Sequence, residues 1–583
     1  MSSSNRREYL TATVLDQAFL DRCQDNLDNG LAIVVDIVAP DLSIIRASDR
    51  NKYVGGTFYE ALTKFPAIKR SLGEWLQPQI EFSTLTLALS NVDKRFNRFL
   101  PGGDDFSTWL NKAVQMSIGL RDVASTYKIV FKGTVTDVAG VARDRSNITL
   151  ISRDLFDRVN VKFPNKAFSA FDYNFIEDAF IGKNIPVIYG DWTTELPSQR
   201  LIPTDPLSPV DVVPIVPAFP LNGLDPLVQD GSLEVELKIS FNANTSFDAS
   251  KVYLKRGDEY YLFDSGDIIN VNADNNEFSI LQGPGGGTTI VKDEPYIFAP
   301  GDAFLVMVVG KDLGAYSHNI VEQAKDILKV YGLLSNADFD ANWATYRDKA
   351  SPAQSNIAGI LSRVWVQDEQ ETMSYALSML EQVRLEAFVS RDLILKLNSL
   401  HFEDFPATPG YTIRNWDVED GTFNPLMDEK LTWNRAKGAF AFNPSRNENA
   451  LETELYRNQA TIDQTGKAVS KLVVFPNLYV KSDVVNQLKE MLRLTSNSNE
   501  MIDLTVSPRA FLLELGDFVN LNIDMGALVY TQAPAMIRDI IYNPQGFKIG
   551  LKLWSFQMVP YPGYAPTYTG ITGGNGAAII EET

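Results

Sequence analysis

Cysteine and histidine are nearly missing from this sequence. One cysteine, Cys23, stands among 583 residues. It makes no internal disulfide and no cysteine-based metal site, and it fits folding in a reducing cytoplasm. The only histidines are His318 and His401. Neither belongs to a His-x-x-x-His pair, so the helical zinc motif is excluded, and both read as structural or surface residues. Basic density is also low, with 53 Lys+Arg against 73 Asp+Glu and a net charge of −20. Gripping nucleic acid needs clustered Lys and Arg, and no stretch has them. An acidic wall instead lets DNA pass without sticking, because like charges repel. Long apolar runs are absent too. Phe304–Val309 is far too short to span a bilayer. The polar start, Met1 to Arg7, leads into no apolar core of a signal peptide. The expectation is a chain without stable membrane insertion.

What is present is ordinary globular material rich in strand formers. Hydrophobic residues make up 45%, with 33 Phe, 22 Tyr and 8 Trp, residues that suit strands and large protein interfaces. At about 100–200 residues per domain the length implies roughly three to five domains. Residues 1–79 open with a helical stretch and then a buried-strand run, Leu31–Val38. In 80–160, Leu85, Leu87 and Leu89 alternate, as do Val114, Met116 and Ile118, and Lys128–Val138 reads as a long strand. Gly133 inside that strand predicts a bulge or tight bend. Residues 161–229 form a connector, proline-rich from about 193, which reads as extended. Residues 230–312 read as a β-rich insert. Residues 313–500 turn helical, with Val321, Ala324, Ile327 and Leu328 on one face. A hairpin follows at Leu385–Leu397, turning at Ser390-Arg391-Asp392. Residues 501–558 repeat the β pattern, completed by strands from 385–480, and 559–583 read as a flexible tail.

The two β units share a plan. Each has an alternating strand, a loop, a long strand with an Asp-aliphatic pair, a turn and a closing strand. The pairs are Asp137-Val138 and Asp539-Ile540.

No motif in the sequence assigns a chemical site. Gly283 to Gly287 lacks the Lys-Ser/Thr of a phosphate-cradling loop. Two acidic clusters, Asp368, Glu369, Glu371 and Asp417, Glu419, Asp420, match a glycosidase only in residue type, and read as solvated faces. Asp338 and Asp340 resemble the start of a calcium loop, but Phe339 stands between them and no Asp-x-Gly turn follows. The expectation is no enzyme, no catalytic, cofactor or metal residues, and no cofactor.

Several segments, in order, resemble the phage tail hub and baseplate family. Phe106–Trp109, Val114–Ile118 and Phe131–Val138 are similar to the first tube-like barrel of such hubs. Gly182-Lys-Asn-Ile-Pro-Val-Ile-Tyr-Gly190 looks like the segment that follows it. The hairpin at Leu385–Leu397 sits where hubs carry their central hairpin, and Leu515-Gly516-Asp517-Phe518-Val519 resembles the turn into the second barrel. The resemblance implies a predominantly β, mixed α+β fold with two tube-like antiparallel β-barrels, a β-rich insert and a helical, hairpin-bearing connecting region. It also implies a homotrimer that adapts a sixfold tail tube to a threefold tip and lines the DNA exit channel. Its implied partners are a tail tube or distal tail protein, a tip, spike or fibre protein, a tape measure protein, and DNA as transient cargo. Its place is the virion tail, after synthesis in the host cytoplasm. Three rivals stand beside it. One is a receptor- or carbohydrate-binding tail protein using Tyr260, Tyr261 and Phe263. Another is a tail-associated wall hydrolase. The third is a distal tail ring of six copies.

Overall fold

The structure, a computed structural model, describes residues 31–72, 84–100, 109–120, 127–139, 146–159, 161–192, 216–221, 234–240, 246–256, 259–262, 278–282, 288–295, 303–350, 356–390, 393–401, 404–406, 409–427, 433–495, 500–507, 510–511, 513–524, 526, 529–543, 548–555 and 579–582. The expected opening helix, the Arg391 and Asp392 positions of the expected hairpin turn, and the loop at Gly283–Gly287 lie outside these residues.

The fold is mixed α+β and predominantly β. The first sheet contains β1 (Leu31–Val38), β2 (Ile44–Ser48), β3 (Lys52–Val54), β4 (Thr57–Ala61) and β5 (Thr63–Lys64). It also holds β7 (Thr84–Ser90), β8 (Ala113–Leu120), β9 (Lys128–Ala139) and β10 (Asn147–Asp154), while β6 (Ile68–Ser71) pairs elsewhere. The strand order is β3-β4-β2-β1-β8-β9-β10-β7-β5. The sheet expected at 80–160 therefore also takes in β1 to β5. Alternation explains the buried face: Leu85, Leu87 and Leu89 are fully buried between exposed neighbours.

The middle of the chain builds a second core. Two helices, α1 (Ile320–Val330) and α2 (Thr372–Glu381), pack together there. Val321, Ala324, Ile327 and Leu328 are all buried, as their helical spacing predicts. Asn319 caps α1, its side chain accepting from the Val321 and Glu322 amides. The hairpin is β11 (Leu385–Val389) with β12 (Leu395–Ser399). The insert forms a seven-stranded sheet in which Val216–Pro220 is a strand. The proline-rich connector is thus not wholly extended surface chain. Pro217 and Pro220 fit because the strand pairs only briefly on each side, at 216–218 with Ala303–Val309 and at 219–220 with Glu234–Ser240.

The second unit repeats the first. Its strands are β13 (Tyr411–Arg414), β14 (Asn424–Met427), β15 (Glu500–Val506), β16 (Phe518–Asp524), β17 (Val529–Asn543) and β18 (Lys548–Ser555), in the order β13-β16-β17-β18-β15-β14. In both units the first long strand pairs with the last, so β8-β9-β10-β7 and β16-β17-β18-β15 follow the same path. The units differ at one flank, where β1 runs antiparallel to β8 but β13 runs parallel to β16. In the tail, Ile579–Glu582 forms a strand on Leu455–Asn458, so this part is held rather than loose.

Closed barrels are not formed among the described residues, where each sheet is an open strand path. The first sheet ends on β3 and β5 and the second on β13 and β14, and among these residues no ladder joins either pair of ends. The two sheets instead bury their apolar faces in one continuous core. It holds Leu87, Val114 and Leu150 from the first and Leu504, Leu521, Ile540 and Leu551 from the second, with Phe388 of the hairpin.

Gly133 marks a close backbone approach. A Cβ there would sit 1.9 Å from the Arg153 carbonyl oxygen on β10. Gly133→Ala should therefore lower stability by roughly 1–3 kcal/mol through overpacking, read as a lower denaturant midpoint. An unchanged midpoint would contradict this reading of the strand.

Candidate functional site

The feature that organises the molecule is the matched pair of long strands and what lies along their edges. Both strands carry a bulge at the same place. Between β9 and β10, Asp137 faces Ile151 and Val135 faces Ser152, leaving Thr136 unpaired. Between β17 and β18, Asp539 faces Lys552 and Ile537 faces Leu553, so the register shifts at Arg538. The Asp-aliphatic pairs therefore begin one residue after a bulge in each unit.

The turns before β8 and β16 match bond for bond. In the first, the Val135 amide donates to the Lys112 carbonyl at 2.9 Å and the Asn111 amide to the Val135 carbonyl at 2.8 Å. In the second, the Ile537 amide donates to the Asp517 carbonyl at 2.9 Å and the Gly516 amide to the Ile537 carbonyl at 2.9 Å. Asn111 and Gly516 both take left-handed backbone, with φ of 64° and 74°. Asparagine is among the few non-glycine residues that tolerate it. The Gly516-Asp517 turn thus has its counterpart in Asn111-Lys112. Sequence comparison misses this because side chains differ while backbone geometry is kept.

Beyond the bulge the two edges differ. On β17 the edge is taken by β6, with Asp539 facing Ser71 and Tyr542 facing Ile68. The Leu72 amide donates to the Arg538 carbonyl at 2.9 Å. Ser71 Oγ donates to Asp539 Oδ1 at 2.5 Å, and Lys69 Nζ lies 3.4 Å from Asp539 Oδ2. Since β5 lies in the first sheet and β6 in the second, four residues of strand join the two units.

Arg70, in the middle of β6, fastens the joint. It is 7% exposed. Its Nη1 lies 3.2 Å from Glu514 Oε1 in the second unit, and its Nη2 donates to the Val389 carbonyl of the hairpin. Its charge also acts on Asp154 at the end of β10 in the first unit. Burial nonetheless pushes the Asp154 carboxyl up to about 6, with Asp157 adding to the rise. The Phe156 amide, donating at 2.9 Å, and Arg70 work against it. Close by, Arg538 Nη1 reaches both oxygens of Glu386 on the hairpin at 2.8 and 2.6 Å.

The residues weighed for chemistry are dispersed. His401 is fully buried, its Nε2 3.1 Å from the Val383 carbonyl. Burial pulls its pKa down to about 4, so the ring is neutral at pH 7. The His318 carbonyl accepts from Ser362. Asp338 accepts from the amide and hydroxyl of Ser335, both at 2.7 Å, and Asp340 accepts from the Asn342 amide at 2.9 Å. Both act as local caps rather than turning toward a common centre. Asp368, Glu369 and Glu371 are exposed, and Glu369 pairs with Lys162 at 2.8 Å. Asp417 is buried and accepts from the Arg414 amide, Glu419 pairs with Lys548, and Asp420 is exposed. Tyr260 and Tyr261 lie on the strand Glu259–Leu262, whereas Cys23 and Phe263 fall outside the described residues. Among the described residues no group of three or more His, Cys, Asp or Glu could hold a metal ion. Among them also, no helix is long and apolar enough to cross a membrane.

The Gly182–Gly190 segment threads the other core. Val187, Ile188 and Tyr189 are fully buried, and the Tyr189 hydroxyl donates to Asp326 Oδ2 on α1 at 2.8 Å. A Cβ on Gly190 would meet the Ser362 carbonyl oxygen at 2.5 Å, which explains the glycine.

No protein-family model matches the chain. No curated protein sequence matches it either. Among solved structures it is similar to a tail protein from Neisseria meningitidis MC58, at 9% identity and a TM-score of 0.38, over 91% of this chain and 98% of that one. It is also similar to the 43 kDa tail protein of prophage MuSo2 from Shewanella oneidensis, at 10% identity and a TM-score of 0.36, over 90% and 98%. A third is a chain in the virion of a native gene transfer agent particle, at 11% identity and a TM-score of 0.36, over 71% and 93%.

Two substitutions test the joint. Arg70→Met strands Glu514 without its charge partner and should cost about 3–5 kcal/mol; a loss below 1 kcal/mol would contradict the clamp. Asp154 has a raised folded pKa, so its contribution to stability is full below about pH 4 and is lost as pH rises through about 6. Asp154→Asn should unfold at a higher temperature than wild type at pH 7, with the gap closing at pH 4. A gap that widens toward pH 4 would overturn the assignment.

Proposed function

We propose that the chain is a structural, non-enzymatic subunit of a bacteriophage tail. Within it, the chain acts as a homotrimeric hub between a sixfold tail tube and a threefold tip. The observation that supports this is the internal duplication: two sheets that share a four-strand path, one bulge position and one turn geometry in a single chain. Three copies then present six similar sheets around one axis. Symmetric interfaces close only when repeat numbers agree, and a doubled unit lets a trimer meet a sixfold ring. The net charge of −20 suits a wall past which DNA moves without binding. Tail tube or distal tail protein on one side, and tip, spike or fibre protein with the tape measure protein on the other, are the partners of this reading.

Copy number in the intact particle tests it. The expected result is three chains per tail, with no sugar or peptide released from purified cell wall by the isolated chain. Six chains per tail would favour a distal tail ring, and wall cleavage would favour a hydrolase; either would overturn the hub.

A further inference from the structure

The edge of β9 beyond its bulge is the counterpart of the edge of β17 that β6 covers. Val135 and Ile537 make the same two turn hydrogen bonds, and Asp137 and Asp539 each stand one residue past the bulge. On β17 the next residues are covered: Arg538, Asp539 and Ile540 are 1%, 8% and 0% exposed. On β9, Thr136 and Asp137 are exposed and Val138 is half-buried. Among the described residues, no strand pairs with Thr136–Ala139 on the side facing away from β10. A row of free amides and carbonyls is a template for an added strand.

The same comparison identifies a donor. The Ser90 amide donates to the Leu62 carbonyl at 2.7 Å, and the Ser507 amide to the Asp417 carbonyl at 2.9 Å, so Leu62 and Asp417 correspond. Thr63 faces Leu89 and Val418 bridges Val506, in keeping with that. From Leu62 the chain runs on to β6, and from Asp417 to β14. In the second unit, then, β14 stands at the chain position that β6 holds in the first. It pairs with β15 on one side only and ends its sheet, and Leu426 on it is 50% exposed.

We propose that Thr136–Ala139 of one chain takes β14 (Asn424–Met427) of a second copy as an added antiparallel strand, repeating between chains the junction that β6 makes within one. First unit to second is joined by β6, and second unit to the first of the next copy by β14. Such a head-to-tail contact closes into a ring when the rotation allows. This rests on the homotrimer reading and names its joint.

The test uses the full chain with Cys23→Ser. Chains carrying Asp137→Cys are co-expressed with chains carrying Leu426→Cys and oxidised. A cross-linked dimer that neither single variant gives is expected, because facing residues on paired strands lie within disulfide reach. Ser71→Cys with Asp539→Cys is the control inside one chain. In parallel, amide exchange at 136–139 should slow at least tenfold between dilute monomer and assembled oligomer, and Asp137→Lys should weaken assembly at least tenfold while the chain keeps its wild-type unfolding midpoint. An oligomer that forms without cross-linking or slowed exchange at 136–139 overturns this joint and leaves the hub standing. Amides already protected in the monomer show the chain covering its own edge, which also overturns it. A chain that stays monomeric at every concentration removes both.

Discussion

The short strand β6 is the constraint on which the rest of this structure depends. It leaves the first sheet at β5 and completes the edge of β17 in the second. Arg70 at its centre couples Glu514, the Val389 carbonyl and Asp154, groups drawn from both units and from the hairpin. A guanidinium so buried is held there only by partners that all fit at once, since removing one leaves a charge without compensation. The two units are therefore not free to rotate as beads on a string. They share one core and one electrostatic clamp.

Much of the fold was legible in the sequence because strands with one buried face must alternate. Leu85 to Leu89, Val114 to Ile118 and the helical face Val321 to Leu328 all lie where their spacing places them. Gly133 was legible as an anomaly inside a strand, and the contact with Arg153 explains it. The repeat was legible in the shared order of alternating strand, loop, long strand, turn and closing strand, with Asp137 and Asp539 in the long strands. Its stronger evidence is backbone geometry, and Asn111 doing the work of Gly516 leaves no shared letter to find. The joint itself was hidden. The strand Ile68–Ser71 is four residues long, Arg70 is a charged residue in the interior, and neither shows a periodic pattern. Strand Val216–Pro220 was hidden by its prolines, which tolerate short ladders but argue against longer ones.

The ordered features of the described residues are edges, turns and bulges. His401 is buried and neutral against a backbone carbonyl, and the acidic residues cap turns or pair on the surface. What the chain repeats is a bulged long strand with a turn bonded to it, and on β17 the edge beyond the bulge receives β6. In the proposed hub that repetition is the function, because a doubled unit converts threefold into near-sixfold symmetry.

Electron cryomicroscopy of the assembled chain, reconstructed without imposed symmetry, tests the central claim most directly. The expected map holds six sheet units around one axis, first and second units alternating, with true threefold symmetry beneath. A ring in which only one of the two sheets of each chain surrounds the axis would contradict it.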